Sequence, residues 1–207
     1  MSDFIYLASQ SPRRQELLMQ IGVRFEMLLP APGEDAESIE IPLPQEKARN
    51  YVKRVTLAKA SLALARWRKS GLPWAPILCA DTTVSLPNSE NGEILGKPID
   101  ADDARRILEM LSGKTHEVLT AIALINNPED APNWIVQISE VEFANLSSEQ
   151  INTYIASQEP FGKAGAYGIQ GSAGAFISKI NGSYSGIMGL PLYETAQLLD
   201  RARITRI

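Results

Sequence analysis

Strands in this chain are joined in two different ways, and few folds hold both. Near the start, 5-IYLA-8 reads as a short buried strand, Leu17, Leu18 and Ile21 recur at helical spacing as far as Gly22, and 25–29 reads as a strand again. That strand, helix, strand order is a parallel-type connection. Later, strands at 77–86 and 93–95 flank the turn 87-PNSENG-92, and two long strands at about 117–125 and 134–144 flank 126-NNPEDAPN-133. Those are hairpins. A sheet that holds both kinds of neighbour is mixed, so the sequence predicts an α/β fold with a mixed sheet and flanking helices.

The remaining helices are marked by their ends. A long one is expected from about 45 to 69, with Ala48, Tyr51, Val52, Val55, Ala58 and Leu62 on one face and Lys59 just off it. Asp100 is placed to cap a helix that runs through Leu111 and stops at Ser112-Gly113, and Ser147 with Gln150 forms a capping box for a helix to about 157. Pro191 opens a last helix to about 202. Between 29 and 45 lies the acidic, proline-rich loop 30-PAPGEDAESIEIPLP-44, long enough for a compact domain to suggest a lid or a site-forming segment. No repeat or internal boundary is visible, so 1–207 is expected to be a single domain.

At 207 residues and 44% hydrophobic, the chain can bury a core as one large domain or as two lobes sharing a sheet. Its 24 acidic and 20 basic residues give a net charge of −4, which argues against a broad basic face for nucleic acid and means that an anionic ligand needs local cations. The first residues lack the pattern of a signal peptide, and no apolar run approaches the roughly 18 residues of a membrane span. A cytoplasmic protein with no membrane partner is expected. One cysteine, Cys79, and one histidine, His116, leave no disulfide framework and no Cys/His zinc cluster. Cys79 in 77-ILCA-80 reads as core, and His116 as a polar contact at the entry to a strand. The sequon 181-NGS-183 reads as a turn.

Two features point to chemistry. In 9-SQSPRRQELL-18, Ser11 suits an N-cap and Pro12 the first helical position, which puts Arg13 and Arg14 in the first turn. Cations at that end oppose the helix dipole by about 0.3–1 kcal/mol each. The pair makes sense beside an anion, with phosphate the leading candidate; the plainer reading is a surface pair meeting Glu16 or another carboxylate. Asp81 interrupts an otherwise apolar strand and is followed by Thr82 and Thr83. Burying it is costly unless it is paired, binds metal or serves as a base. Lys97 after the returning strand, Glu34 and Asp35 in the acidic loop, Lys59 on the long helix and Lys163 in the glycine-rich segment complete the candidate charges. Residues 162–189 hold eight of the 14 glycines, with Tyr167, Ile169, Phe176, Ile177 and Ile180 spaced like strand core positions. Such a segment allows backbone to approach a ligand closely. Several cations, two or three carboxylates and no histidine base suit phosphoryl or nucleotidyl transfer assisted by a hard divalent ion.

Taken together, 9-SQSPRRQELL-18, 80-ADTTV-84, 96-GKP-98, 111-LSGKTHEVLTA-121 and 163-KAGAYGIQG-171 resemble, in order and spacing, the Maf family of nucleoside triphosphate pyrophosphatases, and most of all its dTTP- and UTP-cleaving branch. The resemblance spans nearly the whole chain. It implies an elongated mixed α/β fold similar to that of the inosine triphosphate pyrophosphatases, with a cleft between two lobes, and a homodimer. It also implies Asp81 as acceptor of the proton from the attacking water, and Arg13, Thr82 and Gln170 as selectors of the base. Ser9, Ser11, Arg14, Lys59, Lys97 and Lys163 would line the pocket, and Glu34, or Asp35 beside it, would join Asp81 in holding Mg²⁺ or Mn²⁺. The reaction implied is water attack on the α-phosphorus of a nucleoside triphosphate, releasing the monophosphate and pyrophosphate, and modified pyrimidine nucleotides are further expected substrates. Two alternatives are the sister branch that cleaves 7-methyl-GTP, which Arg13 and Gln170 suit less well, and a nucleotide sensor of septum formation, which needs the pocket but not the base.

Overall fold

The apolar run at 77–86 becomes the strand around which the sheet is built. The computed structural model describes residues 3–30, 34, 38–87 and 93–206. Its strands are β1 (Ile5–Leu7), β2 (Phe25–Met27), β3 (Ile77–Leu86), β4 (Glu93–Leu95), β5 (Thr115–Ile125), β6 (Asn133–Phe143) and β7 (Ile177–Asn181). Its helices are α1 (Pro12–Gln20), α2 (Ala48–Ser70), α3 (Ala101–Leu111), α4 (Ser148–Ala156), α5 (Tyr184–Met188) and α6 (Leu192–Arg201). The seven strands form one sheet in the order β2-β1-β3-β5-β6-β7, with β4 an extra neighbour of β3. β1 runs parallel to β2 and β3, whereas β3, β5, β6 and β7 are antiparallel in turn. The fold is the mixed α/β arrangement that the two kinds of connection require.

Strand alternation divides the core between the two faces of the sheet. Ile5, Leu7, Leu78, Ala80, Ile122 and Leu124 pack with Leu17 and Leu18 of α1 and Leu198 and Leu199 of α6. Tyr6, Ile77, Cys79, Ala123 and Ile125 pack on the opposite side with Ala60 and Ala63 of α2. Both faces are covered, and the first residues of β3 are therefore apolar at successive positions rather than alternately. The far end of the sheet has its own cluster, in which Val84, Leu95 and Val118 meet α3, α4, Tyr167 and Phe176.

β3 has an unbroken partner on one side only. Against β5 the register runs from Ile77↔Ile125 to Ser85↔Glu117. On the other side β1 covers Ile77 and Leu78, and β4 resumes at Val84. Among the described residues, no strand flanks Cys79 to Thr83 on that side. The opening has a local cause at each end. β1 stops where the chain turns into the Ser11-Pro12 start of α1, and β4 stops ahead of Gly96-Lys97-Pro98, whose proline has no N–H for a ladder. Asp81 and Thr82 sit in this opening.

Several boundaries differ from the sequence expectation. α2 begins at Ala48 rather than near 45, because Gln45 takes a positive φ of 57° that no α-helix accommodates. The glycine-rich segment holds two short 3₁₀ turns, at Ala164–Ala166 and Ser172–Phe176, followed by β7, its one strand among the described residues, and by α5. Tyr167 and Phe176 are core, but Ile180 is exposed because β7 is the last strand of the sheet. Asp100 and the Ser147/Gln150 box cap their helices as expected. Ser11 holds the N-cap position of α1 without a side-chain cap bond. Asp35 and the 88–92 part of the hairpin turn lie outside the described residues. Among those described, no helix is long and apolar enough to cross a membrane.

Candidate active site

The opening beside β3 is the floor of a cavity of about 770 Å³. Successive residues of a strand point to opposite faces, so Asp81 faces α2 and Thr82 faces α1, and the missing strand lets one cavity collect both. Ser9, Ser11, Arg13, Arg14, Glu34, Lys59, Asp81, Thr82, Lys97 and Lys163 all line it. Gln170 does not: its side chain is exposed, outside the cavity wall.

The centre is a chain of alternating charges. Lys59 Nζ lies 2.6 Å from Asp81 Oδ1 and 2.6 Å from Glu40 Oε1, and Lys97 Nζ lies 2.8 Å from Glu40 Oε2. Burial acts to lower the pKa of Lys59, but the two carboxylates outweigh it and the net shift is upward. Burial likewise acts to raise Glu40, and Lys59 and Lys97 bring it below the ordinary carboxylate value. Glu40 was not among the residues singled out from sequence. The available signal was an acid between two isoleucines in 39-IEI-41, the same kind of interruption that marks Asp81.

Glu34 reaches the cavity wall in a different setting. Its carboxylate accepts two hydrogen bonds from Arg66, Nε at 3.0 Å and Nη2 at 2.5 Å, and Arg66 Nη1 donates to Leu28 O at 2.6 Å. Arg66 lies seven residues after Lys59, two helical turns along the same face of α2. The acidic loop thus brings one carboxylate to Arg66 and another, Glu40, to Lys59.

The opening arginines are explained partly by protein contacts. Arg14 donates Nε to Gly189 O at 2.8 Å, Nη1 to Ser9 Oγ at 3.1 Å and Nη2 to Thr82 Oγ1 at 3.3 Å, and Arg13 Nε reaches Met188 O at 3.4 Å. The two carbonyls belong to the end of α5 and have no partner within that helix. Neither arginine forms an ion pair among the described residues, so Glu16 is not their partner. Burial lowers the pKa of Arg14, with Asp81 acting against it. Among the described residues, both arginines stand at the cavity with no bonded counter-charge.

The hydroxyls behind Arg14 have a defined direction. Thr120 Oγ1 donates to Gly186 O at 2.7 Å, so the 2.9 Å bond between Thr82 and Thr120 takes its hydrogen from Thr82. A lone pair of Thr82 Oγ1 is left for Arg14. On the opposite wall, Lys163 Nζ donates to Glu159 O, and its pKa is lowered by burial and by Arg13. Gly165, at φ +70°, packs on Val84 so closely that a Cβ would fall 2.7 Å from Val84 Cγ2. Tyr167 of this wall bonds His116 at 2.8 Å, and burial pushes His116 down to about 4. Cys79 lies in the core as expected, its thiol pushed up to about 12 by burial.

A family model described as Maf-like protein matches residues 4–202. The chain belongs to the Maf-like protein family. Curated relatives include a dTTP/UTP pyrophosphatase of Burkholderia orbicola, 58% identical over 97% of this chain and 93% of that protein. Another, from Albidiferax ferrireducens, is 57% identical over 97% of each chain, and one from Cupriavidus pinatubonensis is 53% identical over 99% of each. Both bear the same dTTP/UTP pyrophosphatase name. In this Maf-like protein the donor set suits a hard ion held jointly with a substrate. Among the described residues no three His, Cys, Asp or Glu side chains gather into a metal cage. Asp81 and Glu40 flank one point of the cavity, and Mg²⁺ is commonly bound through one or two carboxylates plus phosphate oxygens.

Proposed function

We propose that this Maf-like protein hydrolyses dTTP and UTP to the nucleoside monophosphate and pyrophosphate. The observation that carries the reading is Asp81, buried at a sheet opening, bridged by Lys59 to a second carboxylate and faced by two arginines that form no ion pair among the described residues. Pyrimidine preference rests on the names of the relatives and on Arg13 and Thr82 in the cavity; Gln170 is not used, since it stands outside the wall.

Lys59 holds Oδ1 of Asp81, which fixes the orientation of the carboxylate and leaves Oδ2 to take a proton from the attacking water. A triphosphate carries about four negative charges, so water approaches its α-phosphorus only when cations offset them. Arg14, Lys59 and Lys97 supply that charge from three different elements, and the rigid contacts of Arg14 mean that it is aimed before substrate arrives. Mg²⁺ or Mn²⁺, held by Asp81 and Glu40 together with phosphate oxygens, would further neutralise the phosphates and polarise them. No covalent intermediate is needed. Cytoplasmic location and a homodimer belong to the same proposal, the second to be checked by sedimentation.

Pyrophosphate release from dTTP, UTP, CTP, ATP, GTP and 7-methyl-GTP tests the reading. The expected result is kcat/KM for dTTP and UTP at least about tenfold above the others. A preference for 7-methyl-GTP would move the chain to the sister branch, and nucleotide binding without pyrophosphate release would make it a sensor.

A further inference from the structure

α2 grips the backbone around Glu40 as well as its carboxylate. Ser38–Glu40 is one turn of 3₁₀ helix, closed by the bond from Ile41 N–H to Ser38 O at 3.4 Å. The carbonyls of Ile39, Glu40 and Ile41 follow that bond and lack partners inside the turn. Two side chains of α2 take all three. Tyr51 Oη donates to Glu40 O at 2.7 Å, and Arg54 donates Nη1 to Ile39 O and Nη2 to Ile41 O, each at 3.0 Å. The guanidinium is itself held by Glu46, with Nε to Oε1 and Nη2 to Oε2 both at 2.7 Å, and Glu46 Oε2 also accepts Leu43 N–H at 3.0 Å. None of Tyr51, Arg54 and Glu46 lines the cavity.

We infer that Arg54 and Tyr51 are positioning residues for the reaction: by holding three consecutive carbonyls they fix the Glu40 carboxylate between Lys59 and Lys97, and with it the arrangement around Asp81. The inference rests on the proposed function, which gives Glu40 its work. Packing alone does not hold this stretch of loop in place, since Ile41 is 65% exposed and Leu43 54%. Polar contacts carry the task instead. A planar fork is the group that can span two carbonyls and a carboxylate at once, and a lysine ammonium at position 54 has one nitrogen to offer. Displacing a reacting group by about 1 Å can cost about a hundredfold in rate, so a loop carboxylate has reason to be pinned on both sides.

The test compares pyrophosphate release from dTTP by the full chain, Tyr51→Phe, Arg54→Lys and Arg54→Leu, each also combined with Glu40→Gln and followed with enzyme in excess. Tyr51→Phe keeps the buried ring and should lose about three- to tenfold in kcat, the worth of one neutral hydrogen bond. Arg54→Leu should lose at least about thirtyfold, with Arg54→Lys between the two, while KM stays within about twofold. In the Glu40→Gln background the same substitutions should cost less than about twofold, since nothing is left to position. Equal losses in both backgrounds, or unchanged kcat in the single variants, would overturn the inference. If Arg54→Leu does not fold, Tyr51→Phe decides alone. An inactive unsubstituted chain would refute the proposed function, and this inference would fall with it.

Discussion

Between pH 7.5 and pH 5 the folded chain should lose about 2 kcal/mol of stability, and His116 should account for the loss. It is the only histidine, it is fully buried against Phe143 and Tyr167, and burial holds it at about 4 in the folded state. In the unfolded chain its pKa is about 6.5. The folded value lies below the unfolded one, so the stabilisation is fully present above about pH 6.5 and is lost as the pH falls towards 4. At pH 5 the unfolded state gains about 1.5 pH units of protonation that the folded state does not, and at 1.36 kcal/mol per unit this is about 2 kcal/mol. Carboxylates add little above pH 5, because their unfolded pKa values lie near 4. Urea unfolding at pH 7.5, 6.5, 5.5 and 5.0 measures the slope. His116→Gln can still bond Tyr167 but cannot titrate, and its stability should be flat over the range to about 0.5 kcal/mol. Parallel slopes in the two proteins, or no slope in the unsubstituted chain, would refute the reasoning.

Asp81→Asn keeps the shape of the side chain and removes the proton acceptor, so kcat should fall at least about a hundredfold while the affinity for a non-hydrolysable triphosphate stays within about threefold; near-normal turnover would remove Asp81 from the chemistry. For the metal, Glu40→Gln should raise the Mg²⁺ concentration needed for half-maximal rate at least about tenfold, and Glu34→Gln should leave it within about threefold, because Glu40 shares Lys59 with Asp81 whereas Glu34 is paired with Arg66, two helical turns further along α2. The opposite order would return the loop ligand to Glu34, and full activity in EDTA would end the metal-assisted reading.

What was legible in the sequence was local or expensive. The caps at Asp100 and Ser147 are set by bonds spanning three residues, Asp103 N to Asp100 Oδ1 and Gln150 N to Ser147 Oγ, and could be read from spacing alone. Asp81 stood out because an acid in an apolar strand demands a partner, and Lys59 is that partner. Arg14 was marked by its place at a helix start, although the backbone of α5 that takes up its Nε lies 175 residues away. The rest depended on where distant segments meet. Glu40 is aimed by α2 residues 11 and 14 positions further on, and nothing within the loop separates it from Glu34 or Asp35. Gln170 was carried by a motif, but the 3₁₀ turns around it leave its side chain facing out. Ile180 has the composition of a core position, and no pattern within five residues announces that its strand is the last in the sheet.

The missing pairing beside Cys79–Thr83 has a mechanical side. The strands that run past it, β3, β5 and β6, stay bonded to one another along its whole length, from Ile77↔Ile125 to Ser85↔Glu117 and from Thr115↔Glu142 to Leu124↔Asn133. On that side the described residues are continuous strand. A change of twist is a motion that such a ribbon can make with its ladder bonds intact, and every residue pair shares it. The stiffness of this wall is therefore spread over about thirty residues rather than held at a single hinge position.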